Sequence, residues 1–473
     1  MRKILFNILK YIIKQLAKLI IWRYKPEIIA ITGSVGKTSA KEAIYSVLAN
    51  VGNLSSADKK GLRVRKSKGN LNNEFGVPLT IIGDWKENEL NLVSRATPPE
   101  KYKLRKLLFW SKVILSALIR VVYPRKLALV RRSASEGGYP KVLILEYGAD
   151  RPGDIKYLLK IGRPKIGVIT AIGDTPVHVE FYESPAEVAK EKGKLIESLQ
   201  TGGFAVLNFN DVYAMNMKEK TRANILTFGF NDGADIKISN FENYLQARID
   251  ADKTQINADT ICVNPSNNLR ESALEGVSFK IEYGGSFVPI NLKNVFSRTQ
   301  AYAVAAAFCV GIIYGLNLVE IAELIERYYI PPKRRMNLIK GIKESWVIDD
   351  SYNASPLSVK EALAVLKDLN IGRKIVLLGD MLELGKYSIE AHENAGKIVG
   401  EVADVLITVG PRAQFIADKA RQSGMPPENI FSFHTADEAL PEIKKIIKKG
   451  DLILVKASRA IGLDKIVDEI KEM

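Results

Sequence analysis

Cysteine and histidine are both scarce in this chain: two cysteines, Cys262 and Cys309, and three histidines occur in 473 residues. The cysteines form no C-x-x-C pair and lie away from other metal-ligating residue types. That excludes a disulfide framework and a zinc ribbon and suits a reducing cytoplasm. Long uninterrupted apolar runs are missing too, so no segment offers the roughly 20 apolar residues of a spanning helix. No small-residue cleavage site follows the first apolar stretch, which speaks against a secretory signal.

Positive charge, by contrast, is abundant and unevenly placed. The net charge is +16, yet residues 1–26 carry seven Lys or Arg and residues 101–132 carry ten, with no acid in either stretch. Those residues exceed the whole surplus, so the remaining body is close to neutral, which argues against a nucleic-acid enzyme with a basic cleft. In the first stretch Lys3, Asn7, Lys10, Lys14 and Lys18 recur at helical spacing. Leu5, Ile8, Leu9, Ile12, Ile13, Leu16, Leu19 and Ile20 fill the other positions. This spacing predicts a basic amphipathic helix. The second stretch holds the mostly apolar Val113–Val122, flanked by Lys106, Lys112, Arg125, Lys126, Arg131 and Arg132. Two readings stand side by side: binding to an anionic membrane surface through 1–26 and 101–132, or packing of each apolar face on the protein body.

From Glu27 onward short β-rich runs alternate with helical patterns: Ile28–Thr32, Val142–Tyr147, Ile166–Ala171 and Phe204–Asn208. The rhythm predicts α/β architecture with a largely parallel sheet. Residues 232–292, with a polar stretch at Asn264–Asn268, read as a small antiparallel subregion. Two helical runs end near Tyr329, and Pro331-Pro332 marks a break and a plausible pivot. Beyond it, strands at Trp346–Asp350, Lys374–Leu378, Val405–Val409 and Leu452–Val455 form a second α/β unit. The expected division is a helix over 1–26, a central unit over 27–330 with a basic apolar insertion at 84–139, and a C-terminal unit over 331–473.

The strand Ile28–Thr32 runs into Gly33-Ser34-Val35-Gly36-Lys37-Thr38-Ser39, and a helical pattern starts at Ala40. Strand, glycine loop and helix make a phosphate cradle: backbone N–H groups approach phosphate oxygens, Lys37 meets the β and γ oxygens, and the Thr38 hydroxyl holds Mg²⁺. The strict pattern places its first Gly where Ile31 stands, so the loop is a shortened variant.

With this loop in place, further blocks in the same order resemble the Mur ligase family of bacterial cell-wall synthesis, over about Ile28 to Ile470. Asn70-Leu71-Asn72-Asn73-Glu74-Phe75-Gly76-Val77-Pro78-Leu79 is similar to the NLNNExGVPL block of its D-alanyl-D-alanine-adding branch. Glu146-Tyr147-Gly148-Ala149 resembles EMGA, with Tyr147 in place of Met. Ile172-Gly173 through His178-Val179-Glu180 and Ala189–Lys194 resemble the family's next two segments. Arg334-Arg335-Met336, Asp349–Pro356, Leu378–Gly385 with His392, and Val455–Arg459 resemble its C-terminal blocks.

The resemblance implies a P-loop, doubly wound central ATPase domain and a Rossmann-like C-terminal domain. It implies an ATP- and Mg²⁺-dependent ligase that activates a carboxylate as an acyl phosphate. The acceptor would be a muramyl peptide and the amine D-alanyl-D-alanine or a similar amino acid or dipeptide. Lys37, Lys192, His178 and Arg335 would be catalytic. Thr38 and Glu146 would hold one Mg²⁺, with His178 and a carbamoylated Lys192 serving a second. Gly33–Ser39, Arg335, Asp350, Tyr352 and Asn353 would bind nucleotide, and Asn73, Glu74, His392, Lys456, Ser458 and Arg459 would meet substrate or close the domains.

Local spacing alone offers blander alternatives: a solvated strand-end Glu146, a structural His178, and solvated Lys190, Lys192 and Lys194 on one helix. Ligases of this branch place a UDP-binding domain before the loop, whereas about 26 residues precede the first strand here. That difference raises the expectation of a lipid-linked acceptor, or of a partner that supplies the handle, and of work at the inner face of the membrane. Another acid–amino acid ligase of the superfamily, such as a polyglutamyl type, and a nucleotide-binding subunit without ligation are the competing readings.

Overall fold

Ile28, Ile29, Ala30 and Ile31 leave almost no surface to solvent. A run apolar on both faces is what the centre of a parallel sheet requires. In the computed structural model, which describes residues 2–54, 61–69, 71–92, 103–122, 138–245, 275–369 and 371–472, these residues are the core of β1 (Glu27–Thr32). Eight further strands join it: β2 (Val64–Lys66), β3 (Val142–Glu146), β4 (Ile166–Ile169), β5 (Phe204–Asn208), β6 (Asn224–Gly229), β7 (Ile236–Leu245), β8 (Glu275–Tyr283) and β9 (Ser286–Lys293). Their order is β2-β3-β1-β4-β5-β6-β7-β8-β9.

The chain builds β2 and β3 on one side of β1 and then crosses to β4 on the other. The order therefore reverses beside β1, and the loops leaving β1, β3 and β4 open into one crevice, the usual ligand position in such sheets. The far end is antiparallel, β7 to β8 to β9, as the pattern over 232–292 predicts. Gly284 and Gly285, both with positive φ, turn the last hairpin. Asn264–Asn268 and Cys262 lie outside the described residues; Cys309 is free and buried.

The second unit holds β10 (Asn337–Gly341), β11 (Ser345–Asp350), β12 (Lys374–Gly379), β13 (Val405–Val409), β14 (Ile430–Phe433) and β15 (Leu452–Lys456), in the order β10-β11-β15-β12-β13-β14. Only β10 is antiparallel to its neighbour. Return of the last strand between β11 and β12 makes a second switch point, and the register sets Asp350 directly beside Lys456 at its mouth.

Seven helices of the first unit matter below: α1 (Arg2–Tyr24), α2 (Lys37–Asn50), α3 (Gly76–Ile82), α4 (Glu87–Asn91), α5 (Lys103–Val122), α6 (Asp154–Leu159) and α7 (Pro185–Glu197). α1 buries Ile13, Leu16, Ala17 and Ile20 in the same apolar cluster that takes Phe109, Val113 and Ala117 of α5. The apolar positions predicted for one face of α1 divide, however: Ile8, Ile12 and Leu19 point outward and are exposed. Packing takes only part of that helix's apolar side chains. Among the described residues no helix is long and apolar enough to cross a membrane.

Candidate active site

The loop between β1 and α2 is clamped from below by the end of β4. Ser34 N and Val35 N donate to Ala171 O at 2.7 and 3.1 Å, and Thr170 Oγ1 donates to Val35 O at 2.6 Å. This close approach explains Gly33: a Cβ there would lie 2.0 Å from Thr170 Oγ1. Gly36 precedes α2 with φ 87°, a left-handed conformation that glycine adopts at little cost. The α2 N-terminus, with its unpaired N–H groups and positive dipole end, faces the crevice. Lys37 Nζ folds back onto Gly33 O at 2.6 Å and Ser34 O at 3.3 Å. Burial depresses its pKa, Arg335 adds to that, and Glu146 and Asp150 oppose it. Ser34 Oγ is buried without a hydrogen-bond partner at the same mouth.

Glu146 ends β3 beside this loop and is 1 % exposed, so it is no solvated edge residue. Its Oε1 lies 2.9 Å from Nζ of Lys41, which is fully buried. The approach is off the hydrogen-bonding line, and Oε1 keeps an unshared acceptor. A hard carboxylate oxygen at the end of β3, together with the Thr38 hydroxyl at the start of α2, is a donor set that suits Mg²⁺. Lys41 is the residue sequence reasoning missed; its only signal is a second lysine one helical turn after Lys37. Lys41→Met should cost about 3–5 kcal/mol, because it strands a buried carboxylate without its counter-charge. Urea denaturation checks this, and a loss under about 1 kcal/mol would mean that solvent reaches Glu146.

His178 sits in a left-handed conformation (φ 69°) between two carboxylates. Its Nε2 is 3.4 Å from Asp150 Oδ1, and its Nδ1 is 2.5 Å from Glu383 Oε2 of the second unit. Neither carboxylate was singled out from the sequence. Lys192 departs most from local expectation. Lys190 is exposed and Lys194 pairs with Glu191 at 2.5 Å, but Lys192 is fully buried on the face that carries Val188, Leu195 and Ile196. Among the described residues its ammonium makes no hydrogen bond or ion pair. Burial, reinforced by Lys37, lowers its pKa to about 7, against the pull of Asp150, Glu191 and Asp154.

The second unit meets the loop through Arg335, whose Nη2 donates to Thr38 Oγ1 at 3.3 Å. Its guanidinium also lies 4.4 Å from the centre of the Tyr352 ring, with Arg459 over the same ring at 5.4 Å. Arg334 ties the connecting segment to Asp464 and Asp468 of the last helix, which steadies the approach. Lys456 Nζ reaches Asp350 Oδ2 at 2.5 Å and Asn353 O at 3.0 Å. Between the units lies a cleft of ≈ 550 Å³, lined by Ser34, Val35, Gly36 and Ser39 on one side and by Arg335, Asp350, Asn353 and Lys456 on the other.

A second cleft of ≈ 580 Å³ opens on the first unit. Asn73, Glu74, Gly148, Asp150, Asp154, Tyr157 and Lys10 line it. Asn73 also caps α3, accepting from Phe75 N and Gly76 N at 3.2 and 3.0 Å, and Glu74 pairs with Lys10 at 3.7 Å. Asp150 belongs to both neighbourhoods, since it lines this cleft and touches His178. The two remaining candidates sit in neither cleft. His392 is buried, accepts from Met381 N at 2.9 Å and meets Ser388 O at 2.6 Å; burial lowers its pKa. Ser458 Oγ accepts from Leu382 N at 2.9 Å. Both pin the 380–383 loop that carries Glu383, so direct substrate contact is not what this geometry gives them. Asn70 lies outside the described residues.

A phosphate loop at one switch point, met by an arginine from the second unit, together with a separate acid-lined cleft, defines a two-unit enzyme that moves a phosphoryl group between nucleotide and substrate. Comparison with known proteins narrows the class. The family model for the Mur ligase middle domain matches residues 123–270, and that for the Mur ligase, glutamate ligase domain matches residues 334–459. The chain belongs to the Mur ligase family. It is 24% identical over 462 residues to the UDP-N-acetylmuramoyl-tripeptide–D-alanyl-D-alanine ligase of Bacillus subtilis, covering 97% of this chain and 79% of that enzyme. A crystal structure of MurF from Acinetobacter baumannii shares the fold at TM-score 0.68 and 22% identity, over 97% of this chain and 80% of that one. So does a structure of the MurF ligase from Thermotoga maritima in complex with ADP, at TM-score 0.67 and 22% identity, over 97% and 82%.

Proposed function

We propose that this chain is an ATP-dependent amide-bond ligase that adds D-alanyl-D-alanine, or a similar amino acid or dipeptide, to a muramyl-peptide carboxylate during peptidoglycan precursor synthesis. The observation that carries the reading is the Arg335–Thr38 contact. It puts a cation of the second unit on the phosphate loop, which a nucleotide-binding subunit without chemistry would not need.

ATP would lie in the first cleft with its phosphates on the α2 N-terminus. Lys37 would exchange its carbonyl partners for the β and γ oxygens, and Arg335 would follow the γ-phosphoryl group. The acceptor carboxylate, entering from the second cleft, attacks γ-phosphorus; the β–γ P–O bond breaks and ADP leaves. The amine then attacks the acyl carbon of the resulting acyl phosphate, loses a proton, and the C–O bond to phosphate breaks. Two Mg²⁺ ions would neutralise the charge of the transferred group. Thr38 and Glu146 are the residues suited to one, His178 and Lys192 to the other. A lysine can hold a cation only once its charge is reversed. Lys192, half neutral near pH 7, is suited to add to carbon dioxide: its nitrogen bonds the carbon, a proton leaves, and a carbamate anion results.

Removing a cation that follows the transferred phosphoryl group costs turnover rather than ground-state affinity. Arg335→Ala should lower kcat about 10²-fold and change KM for ATP much less. Steady-state phosphate release measures both. The substrate is tested by a matrix of muramyl-peptide acceptors against D-alanyl-D-alanine and single amino acids, read by product mass. Turnover should require both partners and favour the dipeptide; preference for glutamate as the amine would replace this reading with the polyglutamyl type.

A further inference from the structure

Of the 21 large apolar side chains exposed among the described residues, fourteen lie on α1 and α5. On α1 they are Ile4, Ile8, Tyr11, Ile12, Leu19 and Trp22 at helical spacing, with Phe6; on α5 the stripe includes Leu104, Leu108, Leu115, Ile119 and Val122. Each stripe lies opposite the face that packs into the shared core, so these residues are not core positions left uncovered. The helices are neighbours: Tyr24 OH donates to Arg120 O at 3.1 Å, and Phe75 bridges Phe6 and Trp110 at ring distances of 4.6 and 5.6 Å. Two neighbouring helices thus carry fourteen exposed large apolar side chains between them, a concentration that marks an interaction surface where single scattered ones would not.

We propose that this two-helix surface docks the protein on an anionic lipid bilayer. Charge selects the occupant. Neither helix contains an acidic residue, and Lys18, Arg105 and Lys112 are exposed beside the stripes, Lys112 pairing with Glu89 of α4. A second copy of this chain would set like charge against like. An anionic bilayer meets the cations with headgroups and the stripes with acyl chains, and neither helix has to span it. Trp22, 74 % exposed at the end of α1, suits the interface between the two. One consequence rests on the ligase reading. Lys10 belongs to α1 and lines the second cleft, so an acceptor anchored in the same bilayer would reach that cleft along this helix.

The test is flotation of the full chain with vesicles of phosphatidylcholine, alone or with phosphatidylglycerol, at low and high salt. The docked state requires flotation with the anionic vesicles, weakening with salt, and a blue shift of tryptophan emission that is absent in Trp22→Phe. Leu108→Glu/Leu115→Glu, at exposed positions, should bind at least about tenfold more weakly yet keep its turnover on a soluble acceptor. No flotation at low salt would overturn the proposal, as would equal flotation with neutral vesicles. Self-association abolished by the same variant without flotation would hand the surface to a second copy. Because binding is read without ATP, failure of the ligase reading would leave this result standing.

Discussion

Lys37→Ala should lower phosphate release that depends on both substrates by at least about 10³-fold, the scale of a cation lost from a transferring phosphoryl group. The effect should fall on the chemistry and spare the fold. Lys37 is half-buried and, among the described residues, hydrogen-bonds only to two loop carbonyls, so its removal breaks no ion pair. Circular dichroism and the unfolding midpoint should stay close to those of the parent. A variant that kept full turnover would show that the α2 N-terminus is not where the triphosphate reacts.

Lys192→Met separates stability from activity in opposite directions. An unpartnered ammonium in a buried site opposes folding, and methionine fills the same volume without charge. The folded pKa lies at about 7, below the ordinary lysine value. The penalty is therefore full below about pH 7 and fades as pH rises from there toward 10.5, where the folded protein has released a proton the unfolded chain still holds. In carbon-dioxide-free buffer the variant should be more stable than the parent, with the largest gain on the acidic side. Its turnover should nonetheless fall by about 10³-fold, as expected for losing a metal ligand at a phosphoryl-transfer site. Parent protein given ¹³C-bicarbonate should show a carbamate carbon resonance that the variant lacks. Equal activity of the two proteins would remove Lys192 from the mechanism.

The phosphate loop was legible because β1, Gly33–Ser39 and α2 are contiguous, and their chemistry depends on backbone and neighbours in the chain. Glu146 was legible as the end of an apolar run. Its partner was not: Lys41 reads as any helix lysine until β3 is laid beside α2. Lys192 shows the same limit from the other side, since its helix mixes Lys and Glu, and only packing against β1 and β4 reveals which lysine is inside. Asp150 and Glu383 are more than 200 residues apart in sequence, and no periodicity could bring them to His178. His392 and Ser458 came from motif blocks that the loop at 380–383 uses for its own backbone. In α1, spacing predicted amphipathicity and left open whether its apolar side packs on the body or meets a membrane; Ile13, Leu16, Ala17 and Ile20 pack on the body, while Ile8, Ile12 and Leu19 stay exposed.

The account turns on a phosphorylated carboxylate, and the fate of one oxygen decides it. An acceptor carrying ¹⁸O in its carboxylate, incubated with ATP, Mg²⁺ and D-alanyl-D-alanine, should pass one labelled oxygen to each phosphate released while the amide forms. Label in AMP instead, or phosphate that carries none, would contradict it.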